Sequence, residues 1–402
     1  MDKVSLVNLL GVAVIAFLVP FTLGFFPKLR IPSIVLELLA GYVFGPAVLG
    51  WIKPGPVVVI ISTIGVAFLL FLAGMEIDLG ALRGAPLKLG ALGFLLSFAI
   101  AVALTIPLGM AHVVLTPLLI AIALSATSVG IIIPVLRDTG QLDSPTGTFT
   151  VAGASVAEFA TIALLGVFFS GPGTSSIVEA LLLAVLAILA VLFLLGLSRL
   201  WRWEPGRAVT SRLDDTSSQV RVRFAVMILL GSAVVASAFG FESILGTFLA
   251  GAVLAIIIRG DRFEESFRHK LEAVGFGFFV PAFFVTSGMK LDLSSINSIS
   301  AVSRVALLLL MLLLIRGLPA LLYRSHLTRR ETLAAALLQS TNLSFIVVAV
   351  AVGQEIGRIK PVTGSALVLA GLLSAVLFPA AAQVLLGGRA QTATPDDEVE
   401  RL

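Results

Sequence analysis

A single carboxylate interrupts one apolar run of this chain: Glu158, in Gly153-Ala-Ser-Val-Ala-Glu158-Phe-Ala-Thr161. A single guanidinium interrupts another: Arg316, in Leu314-Ile-Arg316-Gly-Leu-Pro319. Ionisable groups inside hydrocarbon are costly and are functional candidates by default. A carboxylate so placed can hold either a proton or a hard cation, and a guanidinium nearby can tune it or neutralise the empty site. Two hydroxyl- and amide-rich clusters add oxygens of the kind that suit alkali cations: Ser125/Thr127/Ser128 and Gln339/Ser340/Thr341/Asn342. Ser155 and Glu37 are secondary candidates in apolar runs. Asp138 and Asp143 lie in a loop, where solvation or an ion funnel would use them.

Other chemistries are poorly served. There is no cysteine, hence no thiol nucleophile or thiolate metal site. His112, His269 and His326 fall in loops or at span ends without metal-ligand or triad spacing. The glycine motifs lack the strand and helix context of a phosphate loop. The expectation is no enzyme, no cofactor and no metal beyond a transported alkali cation.

The elements that must position these residues are membrane helices. Of 402 residues, 58% are hydrophobic and 12% charged, against a soluble average near 25% charged. That excludes a soluble enzyme, a disordered chain and a nucleic-acid binder. A span needs roughly 20 apolar residues. Thirteen are predicted: 4–26, 31–50, 56–75, 86–110, 114–136, 146–170, 176–198, 219–239, 243–259, 272–288, 300–323, 331–353 and 361–387. Twenty of the 27 Lys and Arg fall on one side of this alternation. Lys3, Lys53, Lys290, Arg358 and Lys360 fall on the other, and Arg304 and Arg316 within a span. The positive-inside rule puts the N-terminus outside and the C-terminus in the cytoplasm, in a plasma or inner membrane. The expected organisation is a first transmembrane half, 1–198, a cytoplasmic linker, 199–218, a second half, 219–388, and a short polar tail, 389–402. No soluble regulatory domain is expected after it.

The halves repeat each other. Gly74-Met75-Glu76-Ile77-Asp78-Leu79 matches Gly288-Met289-Lys290-Leu291-Asp292-Leu293 at an offset of 214. The two polar clusters match at the same offset, and Leu39-Ala40-Gly41 matches Leu249-Ala250-Gly251 at 210. The first Gly-Met motif ends span 3 on the basic side, and its partner ends span 10 on the other. The repeats are therefore inverted, the plan of secondary transporters, whose substrate site lies near the midplane where broken helices meet. Irregular backbone at that depth must line a cavity or be buried in protein. Spans 5 and 12, which carry the polar clusters, are expected to be the crossed broken helices. The fold class is all-α polytopic, with two inverted repeats.

These residues resemble the monovalent cation:proton antiporter-2 family, the sodium/hydrogen-exchanger group that includes Kef-type proteins. The likeness rests on Pro32-Ser-Ile-Val-Leu-Glu37-Leu-Leu-Ala-Gly41 with Gly45-Pro46, on Phe71-Leu-Ala-Gly-Met-Glu-Ile-Asp78-Leu, and on Leu124-Ser-Ala-Thr-Ser-Val-Gly130. It continues through Ile244-Leu-Gly-Thr-Phe-Leu-Ala-Gly251 and Pro281-Ala-Phe-Phe-Val-Thr-Ser-Gly-Met289. The resemblance implies a homodimer in which a core domain moves against a dimerisation domain. It implies a cation site at two adjacent residues of span 6, which here look like Ala157-Glu158, and a basic residue on span 11, which looks like Arg316. The first of the pair has lost its polar group. One carboxylate fits one-for-one, electroneutral exchange. The leading expectation is a Na⁺ or K⁺/proton antiporter. Glu158 is its shared carrier, Thr127, Ser128, Thr341 and Asn342 add oxygens, and Arg316 compensates charge. The alternative is a transporter on the same fold that couples an organic solute to H⁺ or Na⁺.

Overall fold

The computed structural model describes residues 3–26, 31–76, 84–110, 115–169, 219–238, 243–259, 264–291 and 299–387. Among them all regular structure is helical. Ten helices are long and apolar enough to cross a membrane, and two shorter apolar helices join them. These twelve coincide with twelve of the thirteen predicted spans. The seventh, 176–198, lies outside the described residues, as do the linker 199–218 and the tail 389–402.

The first half contains α1 (Lys3–Gly24), α2 (Ser33–Phe44), α3 (Pro56–Met75), α4 (Gly84–Met110), α5 (Pro117–Ser125), α6 (Val129–Asp138) and α7 (Pro145–Phe169). The second contains α8 (Val220–Ala238), α9 (Ser243–Ile258), α10 (Glu264–Val274) and α11 (Val280–Met289), with a wide π-turn, Gly275–Phe279, between the last two. Then come α12 (Ile299–Leu312), a second π-turn (Leu313–Gly317), a tight 3₁₀ segment (Leu318–Ser325), α13 (Arg329–Gln339), α14 (Ser344–Glu355) and α15 (Pro361–Leu386). Helices suit hydrocarbon because each satisfies its own backbone. Local chemistry sets their ends. Prolines open α3, α5, α7 and α15, where a missing N–H costs nothing. Thr328 and Glu331 form a reciprocal capping box on α13. Gly387 closes α15 at φ 68°, a left-handed position that glycine adopts without strain.

The helices pack as two bodies. α2, α3, α8, α9, α10 and α11 form one, with α1 against it; α4–α7 and α12–α15 form the other. We call the first the scaffold and the second the core. They meet along two narrow seams, α7 on α9 and α11 on α14.

The scaffold shows the inverted repeat in three dimensions. A Cβ on Gly41 would overlap the Val285 carbonyl, and one on Gly251 the Phe71 carbonyl. Residues 41 and 251 differ by 210, and residues 71 and 285 by 214, the two offsets found in the sequence. Gly74 backs onto the Phe248 carbonyl and Ala252 amide, and Gly288 onto the Leu38 carbonyl and Tyr42 amide, again in register. Gly65 backs onto the Phe279 carbonyl, its own partner at 214, which places the pseudo-two-fold axis between α3 and the first π-turn. Small residues at such crossings let backbones approach closely, the main source of helix association in lipid. Gly251→Val is expected to destabilise the protein by about 3 kcal/mol or more, because the obstacle is backbone and cannot rotate away. Gly231→Val, where a Cβ meets open space, should be neutral. Thermal unfolding of the two purified variants checks this.

The seams break the symmetry. α11 packs on α14 at the face opposite the basic loops, but their repeat partners, α3 and α6, are not packed to that extent at the basic face. Phe159 of α7 meets Phe248 of α9, whose carbonyl backs onto Gly74 near the Glu76 end of α3, with ring centroids 5.9 Å apart.

Candidate functional site

Spans 5 and 12 are broken as expected. Ala126–Ser128 leaves the helical path between α5 and α6, and 340–343 does so between α13 and α14. The two breaks are tied to each other. Ser128 N–H donates to the Thr341 carbonyl at 2.9 Å, and Leu343 N–H donates to Ser128 Oγ at 3.1 Å. The Thr127 hydroxyl donates to the Gln339 carbonyl at 2.7 Å, and Asn342 Nδ2 donates to the Ala123 carbonyl at 2.7 Å. Two half-helix C-termini, of α5 and α13, and two N-termini, of α6 and α14, therefore meet inside the core. Each terminus carries about half a charge, negative at the C-end and positive at the N-end.

Arg316 lies against this crossing. The π-turn at Leu313–Gly317 carries it, and such turns often mark functional places in helices. The side chain is 1% exposed. Its Nε donates to Thr127 Oγ1 at 2.7 Å, one terminal nitrogen to Ser97 Oγ of α4 at 2.9 Å, and the other to the Gly153 carbonyl of α7 at 3.3 Å. The planar fork spreads these donors over three separate nitrogens, which the single nitrogen of an ammonium cannot reproduce. The adjoining cluster is also polar: Gln339 Nε2 donates to Tyr323 Oη at 2.9 Å and to the Thr150 carbonyl at 3.4 Å. A Cβ on Gly153 would push aside Tyr323 Oη and Gln339 Nε2, so glycine here leaves room for their hydrogen bond.

Glu158 follows Gly153 by about one and a half turns on α7. Its side chain is partly exposed. Its carboxylate lies beside Val129 N–H, the first amide of α6, and its charged neighbour is the Glu76 carboxylate. An acidic group at a helix N-terminus meets both a free N–H and the positive end of the dipole. A direct Glu158–Arg316 contact is not among the described contacts. The guanidinium instead faces neutral oxygens, beside the C-terminal ends of the half-helices, while the carboxylate faces an N-terminal end.

The other sequence candidates fall in several places. Thr127, Ser128, Thr341 and Asn342 are buried at the crossing, with the hydroxyls of Thr127 and Ser128 committed to protein partners. Asn342 Oδ1 has no protein partner. Ser155 is buried on α7, one turn before Glu158. Glu37 is buried in α2, on the scaffold. Asp138 ends α6 as an exposed residue on the basic face.

Sequence reasoning missed Glu76 as a site residue. Its position one step beyond α3 makes it look like a loop charge; only the packing of core on scaffold brings it beside Glu158. Burial pushes its carboxyl up to about 7, the Arg268 guanidinium pulls it down, and Glu272 pushes it up. Arg268 of α10 also donates to the Met75 carbonyl at the end of α3, and lies 3.8 Å from Glu272. Glu76, Arg268 and Glu272 thus form a charged mouth on the basic face.

Comparison with known proteins follows this geometry. The family model described as sodium/hydrogen exchanger, transmembrane, matches residues 13–386. A Bacillus cereus relative named Na(+)/H(+)-K(+) antiporter GerN is 30% identical over 274 residues, covering 67% of this chain and 68% of its own length. The YjbQ protein of Bacillus subtilis is 27% identical over 395 residues, covering 94% of this chain but 63% of its own length, so the chain spans somewhat less than two thirds of that relative. The solved structure of the sodium proton antiporter MjNhaP1 from Methanocaldococcus jannaschii has the same fold, with a TM-score of 0.68 at 19% identity, covering 93% of this chain and 96% of that one. The match over nearly the whole described chain, together with the crossed broken helices and the intramembrane carboxylate, shows that this protein belongs to the sodium/hydrogen exchanger transmembrane family.

Proposed function

We propose that this protein exchanges a monovalent alkali cation, Na⁺ or K⁺, for a proton, one for one, with Glu158 as the shared carrier. The observation that carries the reading is the carboxylate of Glu158, set beside the Val129 N–H at the crossing of two broken spans and next to Glu76 of the basic face. Bound proton and bound cation compete for the same oxygens, so loading one requires release of the other. Thr127, Ser128, Thr341 and Asn342 hold the crossing that presents this end of α6, and Asn342 Oδ1 adds an oxygen free of protein partners. Arg316 compensates the charge of the half-helix C-termini.

The core carries Glu158 between the two faces while the scaffold stays in place. Glu76 belongs to the scaffold and does not travel with the cargo, so only one carboxylate crosses and the cycle is electroneutral. The basic face is cytoplasmic by the positive-inside rule, in a plasma membrane. The scaffold, with the exposed apolar side chains of α1 such as Leu10, Phe17 and Phe21, serves as the homodimer face.

Proteoliposomes with an inside-acid pH gradient and a pH-sensitive dye test the reading. Na⁺ or K⁺ added outside should collapse the gradient without generating a membrane potential. No response to any alkali cation would remove the assignment and favour an organic solute. Arg268→Gln removes the group that pulls Glu76 toward its ionised form. Glu76 then titrates at higher pH, and the activity profile should move in the alkaline direction. A pH series in the same assay reads that shift.

A further inference from the structure

The geometry points to Lys290 as the outward-facing counterpart of Glu76, so that Glu158 meets a carboxylate at one mouth of the pathway and an ammonium at the other. This rests on the proposed exchange and adds a source of asymmetry to it.

Three observations place Lys290 there. The repeat aligns Gly74-Met75-Glu76 with Gly288-Met289-Lys290. The glycines of both motifs are seated on equivalent backbone atoms of the partner helix, in register at the two offsets. The two helices also end alike: Glu76 has φ −74°, ψ −11° and Lys290 φ −87°, ψ −6°, each as the residue closing its helix. Lys290 is exposed at the end of α11, the helix that packs on α14.

Alternating access in an inverted repeat exchanges the roles of the two halves. In this conformation α11 packs on α14 and Glu158 has Glu76 as its charged neighbour. In the opposite conformation the α11–α14 side opens, and the core brings Glu158 level with the end of α11. A mobile cation at Glu158 then faces a positive charge where it faced a negative one. The ammonium is a built-in competitor for Glu158, which weakens cation binding at that face and promotes release there. Binding at the Glu76 face is untouched by it.

Sided vesicles test this. Right-side-out and everted preparations give the apparent KM for the transported alkali cation at each face. Lys290→Gln should lower KM at the Lys290 face by about tenfold, as expected for losing a nearby charge in a partly solvated mouth. It should leave KM at the Glu76 face unchanged. Glu76→Gln should raise KM at its own face alone. Equal changes at both faces, or none, in an active Lys290→Gln protein would overturn the inference while leaving the exchange reading intact. A wild type that exchanges no alkali cation would overturn both. Position can be read without transport, because the chain contains no cysteine. The pairs Glu158→Cys/Glu76→Cys and Glu158→Cys/Lys290→Cys should each be joined by a short thiol cross-linker, in opposite conformations. Cross-linking of the first pair without the second sinks the proposal.

Discussion

Glu158→Gln loses cation-driven proton exchange and remains folded. Glutamine keeps the length of the side chain, and its carbonyl can still lie beside Val129 N–H. It can neither release a proton nor offer a charge. At about 4 Å and an effective dielectric of about 20, the lost attraction for a cation is about 4 kcal/mol, roughly a thousandfold in affinity. The expected result in proteoliposomes is a flux indistinguishable from protein-free vesicles, with a melting temperature no lower than that of the wild type. Glu158→Asp keeps the charge but withdraws it from the α6 terminus, so it should retain exchange with a raised KM. A folded Glu158→Gln protein that still exchanges would show that the carrier is elsewhere, and Glu76 would be the next group to test.

Arg316→Met is expected to damage the fold first and transport as a consequence. Methionine matches the stem but makes none of the three hydrogen bonds to Thr127, Ser97 and Gly153. An orphaned buried acceptor costs about 1–3 kcal/mol; relief of the guanidinium's own desolvation offsets part of this, leaving a net loss on the order of 3 kcal/mol. Arg316→Lys should recover only part, because the single ammonium nitrogen cannot reach acceptors spread around three guanidinium nitrogens. Ser97→Ala removes a single arm and should cost about 1 kcal/mol. Thermal unfolding across this series checks the order. Wild-type stability in Arg316→Met would show that the network contributes nothing to the crossing.

The parts of this protein that depend on local pattern were legible in the chain. The helices follow from apolar runs of membrane-spanning length, and their ends from proline, glycine and charge. The breaks in spans 5 and 12 were readable because Ser125–Ser128 and Gln339–Asn342 recur at one offset. Glu158 and Arg316 stood out because ionisable groups are rare in hydrocarbon. The partners of these groups were another matter. In sequence, Arg316 reads as the group that tunes Glu158 or neutralises its empty site. In the structure the guanidinium goes to Thr127, Ser97 and Gly153, and the carboxylate to Val129 N–H.

The reason is that the largest local fields come from the backbone. Four half-helix ends meet at the crossing, and their partial charges appear only when two distant breaks are folded against each other. The same applies to Glu76, a loop charge in sequence and a neighbour of Glu158 once core and scaffold are assembled. The sequence by itself determined the membrane, the inverted repeat, the broken spans and the charged residue at the centre, because each is written in spacing or residue type. Only the tertiary structure decided which helices pack together as core and scaffold and what each buried charge touches, because those depend on contacts between segments roughly 80 to 220 residues apart, such as Glu76 with Glu158 and Ser97 with Arg316, that no local pattern encodes.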